Sequence, residues 1–306
     1  MMRALVSGST GFSGRYLSAA LRASGFEVCA VSQRAEQPGV LRIDLTSSAA
    51  WSAVIQEFRP DHVFHLSGVT HSTKLSDFAL HNTAAAAALL DATLAQASMP
   101  RSLLLVGTAA EYGLVPEASL PVEESFSASP RSPYGVTKYA QTVLGVEAAR
   151  KGLRVIVARP SNLIGPGMPH STALGSFAHQ IREIELGRRA RRLDVGDLTT
   201  SRDFIDVRDV VAFYVALATH PDAAGVINVS SGVQVTMRQI LDRLIAEFAI
   251  PVSVAVDSAR LRASEVQKFS ASPKRLRALV GERALVPLVD TLRDIVAYER
   301  ATFQTV

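Results

Sequence analysis

Short apolar runs and longer amphipathic stretches alternate along the first half of the chain. The runs are residues 3–7, 27–32, 61–66, 102–107 and 154–159, with a further short one just before Asp44. Their length and near-continuous apolar character predict strands buried on both faces. Between them, residues 14–24, 49–58, 78–97 and 134–151 carry helical spacing. Strands alternating with helices predict an α/β fold, a doubly wound parallel sheet with right-handed crossovers.

Past Pro160 the pattern changes. Gly165-Pro166-Gly167-Met168-Pro169 is a loop of turn formers, helical spacing returns at 176–186, 207–219 and 236–248, and 226–229 reads as a short strand. The expected division is a dinucleotide-binding domain over residues 1–160 and a smaller, mainly substrate-binding lobe over 161–306, with one strand available to return to the sheet. No internal repeat or low-complexity tract points to an array or a linker.

Composition narrows the class. At 48% hydrophobic and 20% charged residues over 306 positions, a sizeable core is available and wholesale disorder is excluded. Nothing approaches the roughly 18 uninterrupted apolar residues of a membrane span. Met1-Met2-Arg3-Ala4 leads straight into the first strand without the pattern of a signal peptide. The single cysteine, Cys29, excludes an internal disulfide and a cysteine-rich metal site, and is expected to be a buried small apolar residue. The expectation is a soluble cytoplasmic protein. A net charge of +4 favours anionic ligands but is too diffuse to argue nucleic acid. The densest basic run, Arg188-Arg189-Ala190-Arg191-Arg192, reads first as a solvated helix end and second as a rim for a phosphorylated ligand. The seven histidines show no metal-like spacing, so no metal is expected.

The first strand runs into Gly8-Ser9-Thr10-Gly11-Phe12-Ser13-Gly14, which opens the first helix. Glycines in such a turn let backbone N–H groups approach a pyrophosphate at the positive end of a helix, with Thr10 and Ser13 as added hydroxyl donors. This is the Rossmann-type dinucleotide signature in its required strand–turn–helix context. The second strand ends Val31-Ser32-Gln33-Arg34 with no acid for the ribose hydroxyls, which leans to NADP(H), with Ser32 and Arg34 on the 2′-phosphate; NAD(H) is the alternative, with Arg34 simply on the surface. Asp44-Leu45 follows the third short strand, where Asp44 either meets the adenine or caps a helix.

Tyr134 and Lys138 stand four apart on one predicted helix face. A phenol is a poor acid or base at neutral pH until a fixed cation stabilises its phenolate, which is a physical reason for the pair. Thr108 follows the strand at 102–107 and falls at the carboxyl edge of the sheet, where ligands of doubly wound folds lie.

With Gly8 to Gly14, His65-Leu66-Ser67-Gly68, Asn82, Thr108 to Tyr112-Gly113, the Tyr134/Lys138 pair and Arg159-Pro160-Ser161-Asn162 in this order and spacing, nearly the whole chain resembles an extended short-chain dehydrogenase/reductase acting on nucleotide sugars. The resemblance implies Tyr134 as general acid/base, Lys138 on the nicotinamide ribose, Thr108 on the reacting oxygen, and Leu66, Ser67 and Gly68 along the cofactor. It places Asn162, Arg202 and Glu111 toward the sugar nucleotide, with Arg202 on the diphosphate. An ion pair with Asp203 is the plain alternative for Arg202. Arg262 and Glu265 resemble the pair near the nucleotide in GDP-mannose-type members, although Ala263 stands where the family has proline. A carboxylate accepts both N–H groups of guanine, which leans to a GDP sugar.

Where dehydratases of the family carry Asp-Glu after the threonine, this chain reads Ala109-Ala110, which argues against water elimination. What the resemblance leaves is reduction of the C4 ketone of a nucleoside-diphospho-4-keto-6-deoxyhexose, GDP-4-keto-6-deoxy-D-mannose being favoured. An NAD-dependent nucleotide-sugar epimerase and a non-catalytic cofactor-sensing protein are the rivals. The alanine-rich helix at 83–97 is expected either to bury against the sheet or, with the Tyr134 helix, to join two subunits into a homodimer.

Overall fold

The structure is a computed structural model that describes residues 1–34, 37–261 and 266–303. Seven parallel strands form its central sheet: β1 (Arg3–Ser7), β2 (Glu27–Ser32), β3 (Val40–Arg42), β4 (His62–His65), β5 (Ser102–Val106), β6 (Val155–Pro160) and β10 (Gly225–Val229). Their order across the sheet is β10-β6-β5-β4-β1-β2-β3. The order reverses beside β1, so the carboxyl ends of β1 and β4 border a switch-point crevice. The doubly wound parallel sheet expected from the sequence is borne out.

Both faces of the sheet are dry. Ala4, Val6, Leu104 and Ile156 point to one side, against α1 (Phe12–Ala23) and α7 (Val207–Thr219). Leu5, Leu103, Leu105 and Val157 point to the other, against α2 (Ser48–Phe58), α4 (Ala85–Leu94) and α5 (Pro133–Arg150). This two-sided burial is why the strands read as unbroken apolar runs instead of alternating ones. His62 and His65, three apart in β4, divide likewise: one packs by Phe26, the other by Trp51.

The helix expected at 78–97 begins earlier. A short α3 (Leu75–Phe78) continues through one π-type turn (Ala79–Ala84) into α4. Ala85, Ala88 and Ala92 bury in the core on this face of the sheet. Cys29 is half-buried in β2, not buried as expected, because β2 lies toward the sheet edge beside short β3.

Beyond β6 the chain builds a second layer system. β7 (Asn162–Ile164), β9 (Ser201–Asp206) and β11 (Gln234–Thr236) form a three-stranded sheet, and β8 (Arg192–Val195) pairs with β12 (Ser253–Val256). α6 (Ala173–Glu185), α8 (Met237–Phe248) and α10 (Leu288–Thr302) bury a separate core around Phe177, Ile181, Leu244 and Ile295, while α9 (Lys274–Val280) packs on the main sheet. Between these elements the chain visits the main sheet once, through β10 beside β6. No helix among the described residues is long and apolar enough to cross a membrane.

Candidate active site

The glycine turn is tight by necessity. Gly8 has a φ of +67°, and a Cβ there would lie 2.8 Å from the Ser67 backbone nitrogen; a Cβ on Gly14 would lie 2.0 Å from the Gly8 oxygen. Any side chain at either position would push the turn away from β4 or unwind the start of α1. Gly11 caps α1 without a side-chain acceptor, so the first-turn amides beside Thr10, Phe12 and Ser13 face outward with their partial positive charge. An uncapped helix end pressed against the carboxyl edge of β1 and β4 fits the pyrophosphate of a dinucleotide.

The rest of the crevice is consistent with that fit. The Thr10 and Ser32 hydroxyls lie 3.2 Å apart, and Ser32 Oγ also accepts the Arg34 amide. This ties the end of β2 to the glycine turn and leaves the Arg34 side chain exposed at its rim. Asp44 is exposed, and its Oδ1 accepts the Thr46 amide and hydroxyl, which hold the carboxyl below its usual range. Leu45 turns into the core, and its carbonyl accepts the Trp51 indole N–H, so Asp44 is the side chain of that pair left to meet a ligand. Past Leu66, Ser67 is buried with no partner for its hydroxyl among the described residues. A Cβ on Gly68 would come 3.2 Å from Lys138 Nζ, so only glycine keeps the passage to that ammonium open.

Tyr134 and Lys138 occupy the first two turns of α5, which starts at an N-cap, Ser132, that accepts the Gly135 amide, with Pro133 at the first helical position. The Tyr134 hydroxyl faces the Thr108 side chain. Desolvation pushes its pKa up to about 12, opposed by the Thr108 side chain and aided by the negative charge of Glu111. Lys138 is buried, donating to the Val106 carbonyl at 2.8 Å and to Gln141 Oε1 at 3.0 Å. Desolvation brings it down to about 8, against the pull of Glu111. Three groups named from spacing thus converge at the carboxyl ends of β4 and β5.

Glu111 requires correction. It was expected toward the substrate, but it is fully buried and its oxygens are occupied by the Thr108 amide, the Thr142 hydroxyl and Arg159 Nε, at 2.8–2.9 Å. It closes a capping box around the turn at Ala109–Glu111, which fixes the backbone of Thr108. Burial pushes its carboxyl pKa up, while Arg159, Thr142 and Thr108 pull it down. Arg159 in turn lies over the Tyr112 ring, whose hydroxyl donates to Asn228.

Two further residues work beside this cluster without a sequence assignment of their own. Asn82, in the π turn, accepts the Val69 amide and donates to the Val69 carbonyl and Thr137 Oγ1. A buried polar residue within an alanine run was the available signal. Gln141 shares the Val106 carbonyl with Lys138, and its position three residues after the lysine on one helix was the clue.

Across the crevice, Asn162 begins β7, is exposed, and donates to the Asp203 carbonyl. Arg202 is half-buried on β9 with Nη1 on the Ser201 and Gln267 carbonyls. Asp203, its neighbour, faces the opposite side of the strand and accepts from Ser231, Gly232 and Ala271. Beside Arg202 opens a cleft of about 230 Å³ lined by Leu114, Val115, Glu117, Val266, Gln267 and Lys268. Arg262 and Glu265, expected on the nucleotide, lie outside the described residues. The basic run is tied up locally: Arg189 and Arg192 pair with Asp194, and Arg188 with Glu183. That is the solvated helix end. The histidines also need correction: His170 and His179 come together with Glu299, a potential metal-binding group that the sequence separation concealed.

Comparison with known proteins places this geometry. Residues 4–230 match the NAD dependent epimerase/dehydratase family. GDP-6-deoxy-D-mannose reductase of Pseudomonas aeruginosa is 35% identical over 300 residues, covering 96% of each chain. dTDP-6-deoxy-L-talose 4-dehydrogenase (NAD(P)(+)) of Kitasatospora kifunensis is 31% identical, covering 82% of this chain and 81% of that one. Among solved structures, RMD from Pseudomonas aeruginosa complexed with NADPH superposes with a TM-score of 0.89 at 32% identity, over 99% of this chain and all of that one.

Proposed function

The chain belongs to the NAD dependent epimerase/dehydratase family, and on that premise we propose that it reduces the C4 ketone of a nucleoside-diphospho-4-keto-6-deoxyhexose, GDP-4-keto-6-deoxy-D-mannose in the first instance. The observation that carries this reading is a proton donor, Tyr134, facing Thr108, with no free carboxylate beside them among the described residues. Ala109 and Ala110 replace the acids that elimination needs, and Glu111 is locked in the protein interior.

A nicotinamide dinucleotide supplies the hydride when bound. Gly8, Thr10, Gly11, Phe12, Ser13 and Gly14 would hold its pyrophosphate and Asp44 its adenine end, with Leu66, Ser67 and Gly68 along its path; Leu45, turned into the core, takes no part. Thr108 and Tyr134 bracket the C4 oxygen. With its pKa near 12, Tyr134 is fully protonated at neutral pH, the state from which a general acid hands its proton to the developing alkoxide. Lys138 would hold the nicotinamide ribose, placing its charge where it lowers the cost of a phenolate. Residues 161–306 bear on the substrate through Asn162 and Arg202, the latter on the diphosphate. Ser32 and Arg34 favour NADPH over NADH, so Arg34→Ala is expected to raise KM for NADPH about tenfold while leaving KM for NADH unchanged.

The protein acts in the cytoplasm as a homodimer. Val136, Val143 and Val146 are exposed along one face of α5, with exposed Leu80 on the π turn packed against it. That apolar stripe is suited to a second copy. The test of the function is NADPH absorbance decay with GDP-4-keto-6-deoxy-D-mannose beside its dTDP and CDP counterparts. Rapid oxidation with the GDP sugar is expected. Oxidation only with another nucleotide would overturn the guanine assignment. No oxidation with any, together with cofactor retained through purification, would overturn the reductase in favour of an epimerase.

A further inference from the structure

We propose that His170, His179 and Glu299 form a binding site for a zinc-class divalent transition-metal ion, remote from the reacting centre and independent of it. His170 lies in the loop between Pro169 and the start of α6, His179 sits inside α6, and Glu299 is in the last turn of α10. One donor atom from each lies within 4.8 Å of the others. The His170 Nε2 to Glu299 Oε1 distance is 3.0 Å, and the two imidazoles stack at 4.1 Å with 17° between their planes.

A structural ion pair accounts for only half of this arrangement. Glu299 is 2% exposed, yet its Oε2 has no hydrogen-bond partner among the described residues; nor does the buried Nδ1 of His179. A carboxylate oxygen and an imidazole nitrogen left dry and unpaired are costly, and few folds retain two within one cluster of side chains. One cation satisfies both. Zinc ligands at about 2.0–2.2 Å in a tetrahedral shell lie roughly 3.3 Å from one another, so the His170–Glu299 pair already has the required spacing. The stacked rings need only tilt apart from parallel to aim their nitrogens at one point. Two imidazoles with one carboxylate select the zinc class over calcium or magnesium, which prefer all-oxygen shells. His170 is 34% exposed and provides the entry route, with a water in the fourth position. Phe303 closes the site, its ring 5.4 Å and 5.5 Å from the two imidazoles. The neighbouring cation, Arg182, is held on the Phe303 carbonyl and paired with Glu185, so its guanidinium is spent away from the cluster.

The site fastens the loop at 165–170 to α10. On its other side that loop is gripped by α1, where the Tyr16 hydroxyl donates to the Pro166 carbonyl. The test uses the full chain stripped of metal with a chelator, then titrated with Zn2+ by calorimetry and with Co2+ by visible absorption. One equivalent per chain is expected, with a Co2+ band that Zn2+ displaces and a rise in Tm of a few degrees on saturation. His179→Ala leaves the His170–Glu299 pair intact and is expected to weaken binding at least tenfold; Glu299→Gln, nearly isosteric, does the same. Should one variant fail to fold without metal, the other carries the comparison, with His170→Ala as the third. Absence of binding at about 0.1 mM free Zn2+ or Co2+, a concentration far above the affinity of such sites, would overturn the proposal. Binding equal in wild type, His179→Ala and Glu299→Gln would also overturn it, by placing the ion on other surface groups.

Discussion

The polar groups at the carboxyl edge of the main sheet and those of the second lobe are held in opposite ways. Beneath the half-buried Thr108 and Tyr134 they are few, buried and bonded in two sets, Glu111 with Arg159 and Lys138 with Gln141 and the Val106 carbonyl. On the surface of the second lobe they are many, exposed and paired locally, as Arg189 and Arg192 are with Asp194. Burial makes each interaction in the first region strong and each missing partner expensive; water and salt dilute the second. Acid–base chemistry needs groups whose proton affinities the protein controls, so it belongs in the first region. A lobe that must admit and release a charged nucleotide does better with exposed charges.

The largest effect should come from the reacting centre. Tyr134→Phe removes the proton donor and keeps the ring, and it is expected to lower kcat by about 10²–10⁴-fold with little change in the KM for NADPH. Steady-state turnover of the 4-keto sugar measures it. Unchanged turnover would strip the buried cluster of its chemical role and leave it as a folding motif.

How far each region was legible follows the same divide. The strands of the main sheet are buried on both faces, so their apolar runs stood out, and the Tyr134/Lys138 spacing lies within one helix. Glu111 was misread because its three partners, Thr108, Thr142 and Arg159, come from three different elements, and only the folded chain shows that its oxygens are spent. In the second lobe, β7, β8, β9, β11 and β12 have six residues or fewer and carry mixed polarity. Their strand character comes from partners far along the chain, as when Ser253 pairs with Arg192, and local pattern holds no trace of that. His170 and Glu299 are similarly concealed, 129 residues apart.

Next in size is Glu111→Gln. It leaves the shape intact but removes the charge that Arg159 faces in a dry site, and breaking such a pair costs about 3–5 kcal/mol. Chemical denaturation of the apoprotein is the measurement. A loss under about 1 kcal/mol would mean that water reaches Arg159, and the contrast between dry and wet charges would fail at its centre.

Lys138 gives a smaller effect with a distinctive sign. Its pKa in the fold is about 8, against 10.5 for the ordinary side chain. Between those values the unfolded chain holds a proton that the folded chain has released, so stability rises with pH through the window. From about pH 8 to 9.5 this contributes roughly 1.5 kcal/mol. Wild type should gain that much relative to Lys138→Met, whose side chain does not titrate. Parallel pH profiles for the two proteins would show that Lys138 is solvated in the fold.

The smallest effect should come from Arg192, which shares a residue type with Arg159 and almost nothing else. Arg159 is 4% exposed on a carboxylate that is wholly buried; Arg192 is 63% exposed, and its partner Asp194 keeps another donor in Arg189. Removing Arg192 leaves no charge stranded, because water and Arg189 take its place beside Asp194. Arg192→Ala is therefore expected to move Tm by less than about 1 °C, a difference that vanishes in roughly 0.5 M salt. A drop of several degrees that persists in salt would show that charges in the second lobe are held as tightly as those under the main sheet, and that exposure is the wrong variable on which to divide them.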